Sequence, residues 1–303
     1  MRRSRLLLAV AASVVAVGVV LGFGPVHPFA SAATGGSAPR VLSVGTVRPA
    51  QVVVPAGPAK ARPLVLVLHG YGSSGAAIDR YLRLRAAAAA RGVVLAFPDG
   101  TLENGNGNRF WNATNNCCDF YNSGVDDSAY LASLVDAIAQ QTPIDRARVY
   151  AFGHSNGGFM AYRLACDHAD TFAAVAVLAG ATFADKARCA PSKPVSVLSI
   201  NGTADYIVNI AGGPEFDPYP STATSLRYWA SYDGCGPNVT LRRTGTLHLL
   251  ATGTKRETTT FSSRPCPAGV NVDFWRMAGA PHSPNFNTSF GSDVLAWLLR
   301  HHR

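Results

Sequence analysis

The sequence is poor in charge. Asp, Glu, Lys and Arg together make up 15% of its 303 residues, against 48% hydrophobic residues. Intrinsic disorder needs the reverse balance and is excluded. No run of lysine and arginine is long enough to form a basic stripe, although the formal charge is +9. The basic residues are scattered and mostly arginine. The charge is therefore read as solubility and surface affinity, and no nucleic-acid partner is expected. No Cys-x-x-Cys spacing or histidine-rich stretch accompanies the cysteines, so no metal site is expected. There is also no internal repeat, no mid-chain linker and no appended module. The length admits one large α/β domain or two small ones, and the unbroken pattern favours one.

Arg2, Arg3 and Arg5 form a charged start, Leu6 to Phe23 is almost wholly apolar, and Ala30-Ser31-Ala32 supplies small residues. This pattern predicts a secretory signal peptide over 1–32, cleaved after Ala32. Cleavage leaves no stable membrane association and a secreted, extracellular protein. The apolar run is about 18 residues, so a retained anchor is the alternative. The six cysteines all follow this segment, where an oxidising compartment would let them pair. Cys166 with Cys189 and Cys235 with Cys266 are the expected bridges. Cys117 and Cys118 could bond to each other or elsewhere.

Residues 33–62 read as an N-terminal linker followed by first strands at 41–47 and 51–54, and 63–303 as a single domain. Leu64–Leu68 and Val93–Phe97 are continuous apolar runs, the pattern of strands buried on both faces of a parallel sheet. An Ala-rich helix is expected between them, over 76–91. Residues 101–125 read as a long polar loop. Asp126-Asp127 open a helix to about 141, and are helix-start residues rather than catalytic ones. Strands are expected at 149–152, 173–178, 195–200 and 270–277. Helices are expected at 156–167, 224–231 and 293–300, and Leu249-Leu250 read as part of a strand. Strands alternating with helices predict an α/β fold, a mostly parallel central sheet with helices on both faces.

Gly153-His154-Ser155-Asn156-Gly157-Gly158 lies between a predicted strand and a predicted helix. G-x-S-x-G in that setting makes a sharp turn that presents a serine hydroxyl, with glycines where side chains would clash. A serine needs a base to take its proton and an acid to orient that base. In the order nucleophile, acid, base, the candidates are Ser155, Asp205 and His282, each just past the end of a strand. Asp217 and Asp233 are rival acids. The other histidines fit the base less well: His69 belongs to the first turn and His154 lies inside the elbow. Two backbone N–H groups must face the oxyanion of a tetrahedral intermediate. Asn156, after the nucleophile, is one donor; Tyr71, in His69-Gly70-Tyr71-Gly72, is the other, with His69 bracing that turn.

Together with Phe97-Pro98-Asp99-Gly100, Trp111-Asn112, Cys117-Cys118, Val125-Asp126-Asp127 and Gly202-Thr203-Ala204-Asp205, these motifs resemble the secreted esterases grouped with polyhydroxybutyrate depolymerases and feruloyl esterases. The resemblance implies an α/β-hydrolase fold and cleavage of carboxylic esters without a cofactor. It implies triad roles for Ser155, Asp205 and His282, and Trp111 lining the substrate pocket. The implied partner is a polyester oligomer or a plant-wall ester. The family's aromatic after the base is absent from Pro281-His282-Ser283-Pro284. A serine peptidase on the same fold, and a catalytically silent wall- or carbohydrate-binding protein, are the alternatives. The sequence does not give the oligomeric state.

Overall fold

The computed structural model describes residues 38–214, 218–237, 239–251 and 257–303. The expected leader over 1–32 and the rival acid Asp217 lie outside the described residues. The chain begins with strands β1 (Arg40–Val44), β2 (Ala50–Val54) and β3 (Arg62–Leu68), then helices α1 (Gly75–Leu82) and α2 (Arg85–Arg91). Strand β4 (Val94–Phe97) follows, with a two-residue hairpin, β5 (Thr101–Leu102) and β6 (Arg109–Phe110), inside the long polar loop. Next come α3 (Asp127–Gln141), β7 (Ile144–His154), α4 (Asn156–Asp167), β8 (Ala174–Leu178) and β9 (Ser196–Gly202). The last elements are α5 (Thr222–Tyr232), β10 (Thr240–Leu247), β11 (Thr258–Arg264), β12 (Val272–Met277) and α6 (Phe290–Leu298).

Among the described residues, ten strands form one sheet in the order β1-β2-β4-β3-β7-β8-β9-β12-β11-β10. The six from β4 to β12 run parallel, and the outer pairs at each edge join antiparallel. Strand β3 shows why its sequence is apolar without alternation. Leu64, Leu66 and Leu68 enter the core on one face, with Val149 and Ala151 of β7. Val65 and Val67 enter the core on the other, with Tyr150 and Phe152. Both faces are covered, so both sets of side chains are apolar. All parallel strands present their carboxyl ends on one rim, where His69, Ser155, Asp205 and His282 follow β3, β7, β9 and β12.

Three expectations are corrected. The single helix over 76–91 is two, because Arg83 turns left-handed (φ 52°) and closes α1 by donating its N–H to Asp79 O at 3.0 Å. Leu82 and Leu84 are both buried, and residues two apart do not share a face of a continuous helix, so the break lets both reach the core. Leu249-Leu250 is not a strand; Leu250 makes only an isolated bridge to Phe286. The strands of that region are the hairpin β10–β11, which the sequence reading passed over because its β10 side chains are mostly exposed threonine and arginine. Asp126 caps α3, accepting from Ala129 N–H at 2.9 Å. Asp127 does more than start that helix. Fully buried, it pairs with Arg48 at 2.5 Å and accepts from the Asn112 N–H at 2.8 Å, tying the long loop to α3.

Candidate active site

Strand β7 passes into α4 through Ser155, which sits at φ 55°, ψ −124°. A non-glycine residue in that region carries about 1–3 kcal/mol of strain and persists only where its surroundings impose it. The Ser155 N–H donates to Leu178 O at 2.9 Å, and its carbonyl accepts from Gly158 and Phe159 N–H at 2.7 and 3.0 Å. A Cβ on Gly153 would overlap the Gly157 carbonyl, and one on Gly157 would overlap the carbonyls of Leu68 and His69. Those two glycines let the turn close.

Asp205 and His282 follow adjacent parallel strands, β9 and β12. Their loops are laced together: Ala204 N–H donates to Ala280 O at 3.0 Å and Gly279 N–H to the Thr203 hydroxyl at 2.7 Å. The buried Asp205 carboxylate accepts from Ile207 and Val208 N–H through one oxygen, both at 2.9 Å. Its other oxygen meets His282 Nδ1 at 2.9 Å. A carboxylate only accepts, so Nδ1 carries the proton and Nε2 is the basic nitrogen. Ser155 and His282 line one open cleft of about 350 Å³ with Gly70, Tyr71, Tyr81 and His154. In this conformation no hydrogen bond joins the Ser155 hydroxyl to the imidazole. The rival Asp233 lies elsewhere, buried at the end of α5 and accepting from Val195 N–H at 2.9 Å; burial pushes its carboxyl up to about 8.

Across the cleft, Gly70 approaches Ser155 so closely that an added Cβ would lie 3.3 Å from Ser155 Cβ. The Tyr71 and Asn156 backbone N–H groups have no acceptor among the described residues. The turn that carries Tyr71 is held on all sides. His69 Nε2 accepts from Gly100 N–H at 2.9 Å, which leaves Nδ1–H to donate to Gly70 O at 2.8 Å. Burial holds its imidazole below the usual range, so His69 is a neutral brace. The Tyr71 hydroxyl donates to Glu103 at 2.5 Å.

Trp111 is not on the cleft wall. It is fully buried, donating Nε1–H to His69 O at 2.9 Å. Its backbone N–H and C=O both meet the Asn156 side-chain amide, at 2.7 and 2.8 Å. The resemblance implied a pocket-lining role for Trp111; in this structure the indole is enclosed among scaffold groups and is not among the residues that line the cleft.

Two contributors escaped the sequence reading. Glu103 is a lone carboxylate in a Gly/Asn-rich loop, and nothing in its neighbours marks it. His154 carried a signal, an imidazole inside the elbow, but had no evident partner. It donates Nε2–H to the His282 carbonyl at 3.0 Å, with the two rings 4.9 Å apart. Burial pushes its imidazole down to about 4, so it stays neutral across ordinary pH. The six cysteines pair as Cys166–Cys189, Cys235–Cys266 and Cys117–Cys118. The adjacent pair lies beside the site, with Cys117 Sγ 3.4 Å from Asn156 Nδ2.

Residues 49–227 match the family described as Esterase PHB depolymerase. The chain belongs to that family. The matched stretch includes Ser155 and Asp205 and ends before His282. The chain is 39% identical over 188 residues to "Putative esterase NocK" of Nocardia uniformis subsp. tsuyamanensis, across 60% of this chain and 52% of that protein. It is 29% identical over 185 residues to Feruloyl esterase B of Piromyces equi, across 58% of this chain and 33% of that protein. It thus spans about half or less of these curated relatives. Among solved structures, an acetyl xylan esterase from Aspergillus awamori superposes with a TM-score of 0.60 at 15% identity, covering 87% of this chain and all of that one. Esterase PE8 does so at 0.51 and 18% identity, covering 85% of this chain and 99% of that one. These likenesses establish the fold of this PHB-depolymerase family member as an α/β-hydrolase.

Proposed function

We propose that this protein is a serine carboxylic-ester hydrolase working through an acyl-enzyme. The observation that carries the reading is the Asp205–His282 pair at 2.9 Å, bordering the same cleft as a serine held on a strained strand-to-helix turn. His282 Nε2 takes the Ser155 proton as Oγ bonds to the ester carbonyl carbon. The oxyanion that forms is received by the Tyr71 and Asn156 N–H groups, donors of the kind worth a few kcal/mol of barrier each. Collapse of the intermediate breaks the bond to the alcohol oxygen, which collects the proton from His282. Water, activated by the same imidazole, then releases the acid and regenerates Ser155. Asp205, fixed by two N–H donors, keeps the imidazole in the useful tautomer.

Family membership supports an ester rather than an amide as substrate, of the polyhydroxyalkanoate or feruloyl type. Three disulfides support a protein exported to an oxidising compartment, with 1–32 as its leader. The test is Ser155→Ala on short-chain p-nitrophenyl esters. Activity should fall by about 10⁴-fold or more; wild-type turnover in the variant refutes the mechanism.

A further inference from the structure

At the rim of the sheet opposite the reaction cleft, β3 begins with Arg62, a residue only 4% exposed. An arginine is seldom buried without an anion beside it, because a buried charge is costly unless compensated. Arg62 has no carboxylate partner among the described residues; its Nη2 donates to Ala56 O at 3.2 Å and Pro58 O at 3.1 Å. Its Nη1 and Nε donate to no protein group among the described residues. Two glycines at positive φ make room for the guanidinium: a Cβ on Gly57 (φ 122°) would lie 3.1 Å from Nη2, and one on Gly92 (φ 67°) 3.6 Å from Nη1. Arg62 borders a cleft of about 430 Å³ with Lys60, Arg91 and Arg148, and no Asp or Glu lines it. We infer that this cleft binds a tetrahedral oxyanion, a phosphate or sulfate group, with Arg62 as its innermost contact.

The charge count favours a dianion. Arg148 is occupied by Asp145 at 2.6 Å. Arg91 meets only neutral acceptors, Ala87 O and the Ser292 hydroxyl, and Lys60 has no acceptor among the described residues. Lys60, Arg62 and Arg91 thus border one cleft with no counter-charge. The carbonyls on Arg62 satisfy hydrogen bonds without neutralising it. Helix α2 also ends at this cleft, and its carbonyl end carries roughly half a negative charge. That is well short of three positive ones. A single carboxylate falls short too, whereas a doubly charged group with oxygens on several sides can be shared between the Arg62 fork and its neighbours. The site is separate from the ester chemistry. The seven residues of β3 span roughly 20 Å, and the strand leads at its far end to the His69 turn. An anion held at Arg62 therefore leaves the reaction cleft open on the other rim. The same chemistry is offered by a free ion and by a phosphate or sulfate ester on a larger molecule.

The experiment titrates the folded protein by calorimetry with inorganic phosphate, and separately with sulfate, at an ionic strength held constant with sodium chloride. One saturable site with a Kd of about 1 mM or lower is expected; no saturation by either anion overturns the inference. Lys60 and Arg91 are exposed, so the double variant Lys60→Gln/Arg91→Gln should fold normally and bind phosphate at least tenfold more weakly. Unchanged affinity in that variant overturns the inference, whether or not Arg62→Gln, which should abolish binding, can be obtained folded. Dextran sulfate set against neutral dextran distinguishes the sources. Capture by the sulfated polymer alone, reversed by phosphate and lost in the double variant, assigns a polymer-borne group; phosphate binding without capture assigns the free ion. Saturating phosphate should leave hydrolysis of p-nitrophenyl butyrate unchanged. Inhibition of equal strength in wild type and double variant would put the anion in the reaction cleft and overturn the site at Arg62.

Discussion

The wall of the cleft that bears Ser155 and the wall that bears His282 are held by different means. On the Ser155 side the ties are mostly side chains buried in the scaffold: Trp111 bonds His69 and Asn156, His69 bonds Gly100, and the half-buried Tyr71 bonds Glu103. On the His282 side the ties are mainly backbone bonds between two loops, with Asp205 gripping the ring and His154 gripping the carbonyl behind it. In the proposed mechanism the oxyanion donors are backbone groups that must not move as charge develops, and packing fixes them. In that mechanism the imidazole reaches first the serine and then the leaving alcohol, and a ring held at Nδ1 can do both. A substitution among the bracing side chains on the Ser155 side should therefore register mostly in stability, and one among the groups that hold the imidazole mostly in turnover.

Among the substitutions that test this contrast, Asp205→Asn should have the largest effect. It turns the tautomer at Nδ1 and should lower kcat by about 10³–10⁴-fold with KM within a few-fold; steady-state kinetics on p-nitrophenyl acetate check it. A thermal shift as large as the kinetic loss would break the contrast between the walls. Asn156→Ala should do the opposite. Removing the side-chain amide strands the buried Trp111 N–H and leaves its C=O only the 3.4 Å bond from the Cys118 N–H, at a stability cost of about 1–3 kcal/mol. Thermal unfolding should show it clearly. His154→Leu and His154→Gln sharpen the comparison at its smallest scale. Loss of the donor to the His282 carbonyl should lower kcat about tenfold by letting the base drift, with KM little changed. Glutamine, whose amide can donate, should recover most of the rate, and equal losses in both would show that His154 only fills space.

The sequence disclosed the parallel middle of the sheet because burial on both faces left uninterrupted apolar runs at Leu64–Leu68 and Val94–Phe97. It disclosed the elbow because Gly153 and Gly157 are sterically required there. The β10–β11 hairpin was illegible for the matching reason: an edge strand with exposed side chains has no apolar period to read. The Arg83 break was hidden because Ala-rich sequence continues helically on both sides, and only the joint burial of Leu82 and Leu84 reveals it. The burial of Trp111 was not legible, since a loop aromatic reads alike whether it faces substrate or braces a turn. His154 and Glu103 gain their meaning from partners 128 and 32 residues away, a pairing no local pattern encodes.

The most direct measurement treats the intact, folded protein with a fluorophosphonate ester and maps the adduct by mass spectrometry. The account predicts one equivalent of label, on Ser155, with activity lost in step and labelling abolished in Ser155→Ala. Label on a different residue, or none on a correctly folded protein, would contradict it.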